Sequence, residues 1–301
     1  MTPENPPPLT LNILSLELCF EGLPAALQEA LWLDWLRPYD LPTLQHYQVR
    51  EASLETPANL QKIPFQAAEV YSSKVEGGVL LACRDNLLKV DFAHQQLLYW
   101  GNGPSLRLLF QLGISEVLRL MGFLPLHASA VLLEGGATVL LGKSGTGKTT
   151  TLLQAARSGI PALAEDWSWL AEDLTFYPWD RGLHLLPDTA ERFEDVLPAE
   201  RTWMPRGDRH KWHFAVQDLP WFQPAAHPLK AFWMLKRHHT TLLQDLPALE
   251  KVRSLWEACG MPLSSEAAQL AQQRINGLLS LPARQLLMGY EVHFADLLNG
   301  N

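Results

Sequence analysis

Between Ala68 and Trp100 the chain alternates short apolar runs with turn residues. EVYSS leads to Gly77-Gly78, then VLLAC, the turn Arg84-Asp85-Asn86, LLKVDF and finally LLYW. Runs this short, broken by turn formers, predict an antiparallel meander. Upstream, Leu9–Leu18 reads as a strand and Pro24–Trp35 as an amphipathic helix, while the proline-rich residues 1–8 read as a disordered tail. Asn102-Gly103-Pro104 marks a boundary. Beyond it, SLRLLFQLGISEVLRLMG (105–122) carries apolar residues at helical spacing.

A second block begins at His127 with the strand HASAVLL, turned by Glu134-Gly135-Gly136 into the strand Ala137–Leu141. The octet GKSGTGKT follows, then a helix over Lys148–Ser158 and a strand Pro161–Ala164 that ends at Glu165-Asp166. WSWLA, LTFYP and GLHLLP read as further strands, 205–211 as a basic loop, Leu229–Leu235 as a strand and 247–282 as mostly helical. A strand–loop–helix–strand unit beside a meander predicts an α/β fold with a mixed sheet. Two domains are expected: 1–104, an α+β domain carrying the meander, and 105–301, carrying the octet.

Composition narrows the partners. Hydrophobic residues are 47% and charged residues 19%, enough apolar character for a packed core. The net charge of −8 lacks the basic balance of a nucleic-acid binder. Cys19, Cys83 and Cys259 are scattered and predict neither a disulfide framework nor a zinc site. The N-terminus lacks the basic and apolar regions of a signal peptide, and no apolar run approaches the ~18 residues that span a bilayer. A cytoplasmic protein without membrane or nucleic-acid partners is expected. The 22 prolines and 11 tryptophans are dispersed and read as loop stiffening and packing.

The octet, Gly142 to Thr149, fits G-x-x-x-x-G-K-[ST]. Gly142, Gly145 and Gly147 let the backbone curl so that successive N–H groups face an anion, and the helix N-terminus adds partial positive charge. Lys143, Ser144, Thr146 and Thr150 complete the expected nucleotide-binding set. Lys148 would reach the β- and γ-phosphates, and the Thr149 hydroxyl would ligate Mg²⁺. Glu165 and Asp166 follow the next strand, where ligand sites gather in open α/β sheets. Either carboxylate can ligate Mg²⁺, and either can take a proton from an attacking hydroxyl. His127 is placed to contact phosphate or that base. MPRGDRHKWHF supplies Arg206, Arg209, His210 and Lys211, with Lys211 the preferred cation for transition-state charge.

Leu126-His127-Ala128-Ser129-Ala130-Val131, the glycine turn, GKSGTGKTT and Glu165-Asp166 together resemble the HPr kinase/phosphorylase family, over roughly 105–235. HKWHFAV followed by HPLKAFWML resembles the later part of such proteins. The resemblance implies a P-loop kinase domain of HPr-kinase type with a β-rich N-terminal domain and a helical C-terminal part. It also implies ATP or another phosphate donor at the loop, Asp166 as base or metal ligand beside His127, and Glu165 as a neighbouring acid. That family usually has two aspartates where this chain has Glu-Asp. Its long C-terminal signature loop and its regulatory domain are not found here, which argues against HPr as substrate. The shorter architecture is similar to the tailoring kinases of lasso-peptide clusters, which phosphorylate a serine of a precursor peptide.

The leading expectation is therefore an ATP- and Mg²⁺-dependent kinase. Its acceptor would be a serine-type hydroxyl of a peptide, protein or small molecule, and homo-oligomerisation stays open. Two alternatives remain. A P-loop ATPase or GTPase would drive a partner, although no Asn-Lys-x-Asp motif is present and Asp166 follows Lys148 by only 18 positions. A non-catalytic nucleotide-binding module would present a peptide.

Overall fold

The computed structural model describes residues 9–35, 37, 39, 41–64, 68–206 and 209–289; the tail at 1–8 lies outside them. The chain forms two compact units, Met1–Met121 with Pro262–Gln269, and Gly122–Met261 with Leu270–Asn301.

The first unit is built on an eight-stranded sheet. Its strands are β1 (Leu9–Ile13), β2 (Leu16–Glu21), β3 (Gln45–Glu51), β4 (Gln61–Ile63), β5 (Val70–Val75), β6 (Gly78–Cys83), β7 (Asn86–Asp91) and β8 (Gln96–Trp100), in the order β1-β2-β3-β8-β7-β6-β5-β4. The meander is β5 to β8, antiparallel throughout. Leu9–Leu18 is not one strand: β1 and β2 form a hairpin turned at Leu14-Ser15. Helix α1 (Ala25–Trp35) buries Leu31 and Trp35 but leaves Trp32 and Leu33 exposed, so its apolar residues do not keep to one face. Helix α2 (Ser105–Leu120) packs on β6 and β7, and the division between the units falls after it, at Met121, rather than at the Asn102-Gly103-Pro104 turn. Buried Glu116 of α2 accepts the N–H groups of Leu263 (3.0 Å) and Ser264 (2.7 Å), which draws 262–269 into this unit.

The second unit carries a nine-stranded mixed sheet. Its strands are β9 (Leu124–Leu126), β10 (Ser129–Leu133), β11 (Gly136–Leu141), β12 (Ala162–Ala164), β13 (Ser168–Leu170), β14 (Thr175–Pro178), and later β18 (His227–Arg237), β19 (Leu242–Asp245) and β20 (Ala283–Met288). Helix α3 (Lys148–Arg157) follows β11, and α5 (Ala248–Cys259) and α6 (Ser265–Leu278) follow β19. Strand β18 is central, parallel to β11 on one side and to β20 on the other. Between β14 and β18 the chain adds β15 (Gly182–Leu185), the short helix α4 (Pro187–Arg192), β16 (Thr202–Arg206) and β17 (Arg209–Ala215), with the three strands in a separate sheet ordered β15-β17-β16.

Every residue of β11 is buried, because the sheet is covered on both faces. Leu140 packs with Leu152 and Leu153 of α3, while Val139 and Leu141 pack with Leu255 of α5 and Ile275 of α6. The α/β class with a mixed sheet is thus observed. Among the described residues no helix is long and apolar enough to cross a membrane.

Candidate functional site

The octet links the carboxyl end of β11 to α3. Gly145 (φ 80°) and Gly147 (φ 106°) both adopt left-handed backbone, which side chains disfavour. Gly147 is also the N-cap of α3, and a Cβ there would approach Met288 Cε at 3.0 Å. The loop is closed by Thr146, whose N–H (3.1 Å) and hydroxyl (2.8 Å) both donate to the Lys143 carbonyl. Lys143, Ser144 and Gly145 are exposed at its tip, while Thr149 and Thr150 in the first turn of α3 are half-buried. The unpaired N–H groups of that first turn make a local anion-favouring end.

Lys148 is buried beneath the loop, and its Nζ donates to the Gly142 carbonyl at 2.8 Å. Burial lowers its pKa, opposed by the charges of Asp166 and Glu165. Thr149 Oγ1 donates to Glu165 Oε1 at 2.8 Å. His127 Nε2 stands 3.3 Å from Asp166 Oδ1, with side chains 58% and 41% exposed, so this pair is open to an incoming molecule. The two carboxylates thus divide: Glu165 is buried against α3, and Asp166 is outward beside the histidine.

Glu165 and Asp166 lie in a bend just past β12, not on a continuing strand. A residue that the sequence analysis does not single out, Asp180, shapes this bend. Its carboxylate accepts the N–H groups of Glu165 (2.7 Å), Asp166 (3.0 Å) and Trp167 (3.2 Å). Ser129 Oγ, at the start of β10, donates to the Glu165 carbonyl at 2.5 Å. Burial, with the charges of Asp166 and Asp180, pushes Glu165 up to about 8, against the Thr149 hydrogen bond and the charge of Lys211. Asp180 rises to about 6, chiefly through burial. The charged form of Glu165 is disfavoured here, and a cation beside it would relieve that.

His127 does not open a strand. It occupies the two-residue gap between β9 and β10, and its N–H donates to the Ala258 carbonyl at 2.8 Å. Strand β9 pairs with β13 and β10 with β11, so His127 sits where the chain switches partners. The basic segment 205–211 is likewise not simply a loop. It is largely a hairpin, with Met204 opposite Lys211 and Pro205 opposite His210. The side chains of Arg206 and Arg209, and residues 207–208, lie outside the described residues. His210 stacks on Trp203 with ring centroids 5.6 Å apart, and Trp203 also meets Trp212. Lys211 alternates to the opposite face of β17 from His210 and Trp212, and its charge, like that of Lys148, reaches Glu165. Of the three residues placed nearest to chemistry by sequence, His127 meets Asp166 at the bend, while Lys211 bears on the neighbouring Glu165 through its charge.

Among the described residues no group of three or more His, Cys, Asp or Glu side chains is arranged to hold a metal ion. Mg²⁺ needs less than this, since it retains several waters and takes one or two protein ligands beside phosphate oxygens. The adjoining Thr149 hydroxyl and Glu165 carboxylate fit that limited donor set. Compared with known proteins, the chain matches no family model and no curated protein.

Proposed function

We propose that the protein is a kinase of HPr-kinase-like type, transferring the γ-phosphoryl group of ATP to a serine-type hydroxyl, in the first instance on a precursor peptide. One observation carries this reading: an open His127–Asp166 pair stands beside the helix whose first turn joins Thr149 to Glu165. An acid–histidine pair can take a proton from an attacking hydroxyl, and the exposure of both side chains leaves room for an acceptor larger than water.

The loop N–H groups and Lys148 hold the β- and γ-phosphates. Thr149 and Glu165 would hold Mg²⁺, which would offset the negative charge that the phosphates bring. Asp166 accepts a hydrogen bond from the acceptor hydroxyl, aligns its oxygen with phosphorus and takes its proton as the new oxygen–phosphorus bond forms and the bond from phosphorus to the β,γ-bridging oxygen breaks, releasing ADP. His127 orients Asp166. Lys211 adds positive charge on the side of the β15-β17-β16 sheet.

The test is product analysis with γ-labelled ATP, Mg²⁺ and a serine-bearing peptide. Label covalently retained on serine is the expected result. Label released only as inorganic phosphate would make the protein an ATPase, and unconsumed ATP would make it a binding module.

A further inference from the structure

One face of the β15-β17-β16 sheet carries a pair of histidines that the proposed reaction does not use. His184 on β15 stands directly opposite His213 on β17. The neighbouring residues Leu183, Leu185 and Phe214 turn into the apolar core of the second unit, so alternation along the strands sends both imidazoles to the other face. There His213 Nδ1 lies 3.2 Å from His184 Nε2, with ring centroids 4.8 Å apart and planes tilted by 40°. Both residues are half-buried. We infer that this pair is a binding site for a divalent transition-metal ion of the zinc class, held by His184 Nε2 and His213 Nδ1.

A nitrogen–nitrogen contact of this length admits two fillings. One ring can donate an N–H to the other, which uses a single proton. Alternatively, both nitrogens present lone pairs to one cation. Zn–N bonds of about 2.0–2.1 Å in a tetrahedral arrangement put two ligand nitrogens roughly 3.3–3.4 Å apart, and cis ligands of a square-planar ion come to about 2.9 Å. The observed 3.2 Å lies between these values, so an ion can replace the shared proton with little movement of either ring. The seat of the second ring is specific. A Cβ at Gly182, two residues before His184 and on the same face of β15, would meet His213 Cε1 at 2.0 Å. The missing side chain at Gly182 is what lets His213 lie against β15 beside its partner.

Imidazole selects the ion. Its ring nitrogens suit Zn²⁺, Cu²⁺ and Ni²⁺, whereas Mg²⁺ prefers oxygen. The pair is therefore chemically distinct from Thr149 and Glu165. Two protein ligands are fewer than the four of a structural zinc site, so the ion keeps positions open for water or an exogenous donor. Lys211 precedes His213 by two positions and shares its face of β17, with Cα atoms roughly 6.5 Å apart along the strand. The ion would add positive charge on the same sheet face as the lysine whose charge bears on Glu165. The site stands whether or not the loop transfers phosphate.

Calorimetric titration of the full chain with Zn²⁺, in excess Mg²⁺, tests the site. Saturable Zn²⁺ binding is expected. Loss of a group that merely supports a metal ligand costs about 10–100-fold in affinity, so loss of a ligand itself should cost at least about tenfold. His184→Ala and His213→Ala should each show that loss, whereas Glu165→Gln should stay within about twofold. No saturable Zn²⁺ binding, unchanged affinity in the histidine variants, or a loss confined to Glu165→Gln would overturn the inference. A second measurement needs no variant and so survives any failure of one to fold. Diethyl pyrocarbonate modifies accessible imidazoles, and its sites in the unaltered protein can be mapped by peptide mass. Zn²⁺ should suppress labelling of His184 and His213 but not of exposed His94 in the first unit. Labelling of the pair that is the same with and without Zn²⁺ would sink the proposal.

Discussion

Thr149 and Glu165 meet side chain to side chain: the hydroxyl in the first turn of α3 donates to the carboxylate at the end of β12 at 2.8 Å. On the proposed reading, this hydroxyl and buried carboxylate are the protein's share of a Mg²⁺ site. Glu165→Gln keeps the shape and the hydrogen bond but cannot give up a proton to become a charged metal ligand. It should weaken Mg²⁺-supported ATP binding by roughly 10–100-fold, the range seen when support of a metal site is lost. Metal-free ATP binding should not fall, because Lys148 and the loop remain. Titrating ATP with and without Mg²⁺ checks this. Equal losses in both conditions would show that Glu165 supports the loop rather than the metal.

Asp180 gathers three consecutive N–H groups of the bend that carries both acids. Asp180→Ala leaves those donors without their acceptor, at about 1–3 kcal/mol for a buried unsatisfied group. Urea unfolding should show a loss of that order in the second unit. Turnover should fall as well, since Asp166 loses its fixed position, while ATP affinity changes less. Unaltered stability together with unaltered turnover would mean that the bend is held by Ser129 and the flanking strands alone.

Lys251 tests burial away from the site. Its Nζ donates to the Leu279 carbonyl at 2.8 Å and to that of Leu281, after the end of α6. Burial lowers its pKa below the ordinary lysine value. Between its folded pKa and that ordinary value the unfolded chain binds more protons than the folded one, so stability rises with pH across this alkaline window. Below the folded pKa the term is constant. Lys251→Met should lack that rise, so the stability of the unaltered protein relative to the variant should grow as pH increases through the window. Parallel unfolding curves for the two proteins from pH 7 to 10 would contradict the lowered pKa.

Much of this architecture is legible in sequence where a single physical signal dominates. GATVLL is apolar without alternation because β11 is buried on both faces, and the meander is marked by turn residues at each reversal. Legibility fails where the turn lacks such residues. Leu14 turns the first hairpin with φ at 53°, a conformation that nothing about leucine announces. Strand β20 is hidden because ARQLLM follows two helices and mixes polar with apolar positions, yet its parallel pairing with β18 depends on contacts distant in sequence. The segment 205–211 carries Pro, Gly and several charges that signal a loop, whereas cross-strand pairs such as Trp203 with Trp212 hold most of it in a hairpin. Within the site, local motif and spacing bring out Lys148, Thr149, Glu165, Asp166 and His127. Asp180 escapes because its role is to collect N–H groups some fourteen residues upstream, and no spacing rule encodes that.

The outward pair gives the sharpest test of mechanism. His127 Nε2 lies 3.3 Å from Asp166 Oδ1, and both side chains are accessible. Asp166→Asn retains shape and hydrogen bonding but cannot take a proton. Loss of a general base costs roughly 10²–10⁴ in rate, and ATP binding should survive because the loop and Lys148 are untouched. His127→Ala should cost less, since its part is to orient the aspartate. If His127 works only through Asp166, the double variant should be no slower than Asp166→Asn, because removing the orienting group matters only while the base is present. The measurement is transfer of labelled γ-phosphate to a serine peptide by all three variants at saturating Mg²⁺, which separates loss of the base from weakened metal binding. Full activity in Asp166→Asn would remove that carboxylate from the chemistry. Losses that multiply in the double variant would give His127 a role of its own, and the remaining group within its reach is then the transferred phosphate.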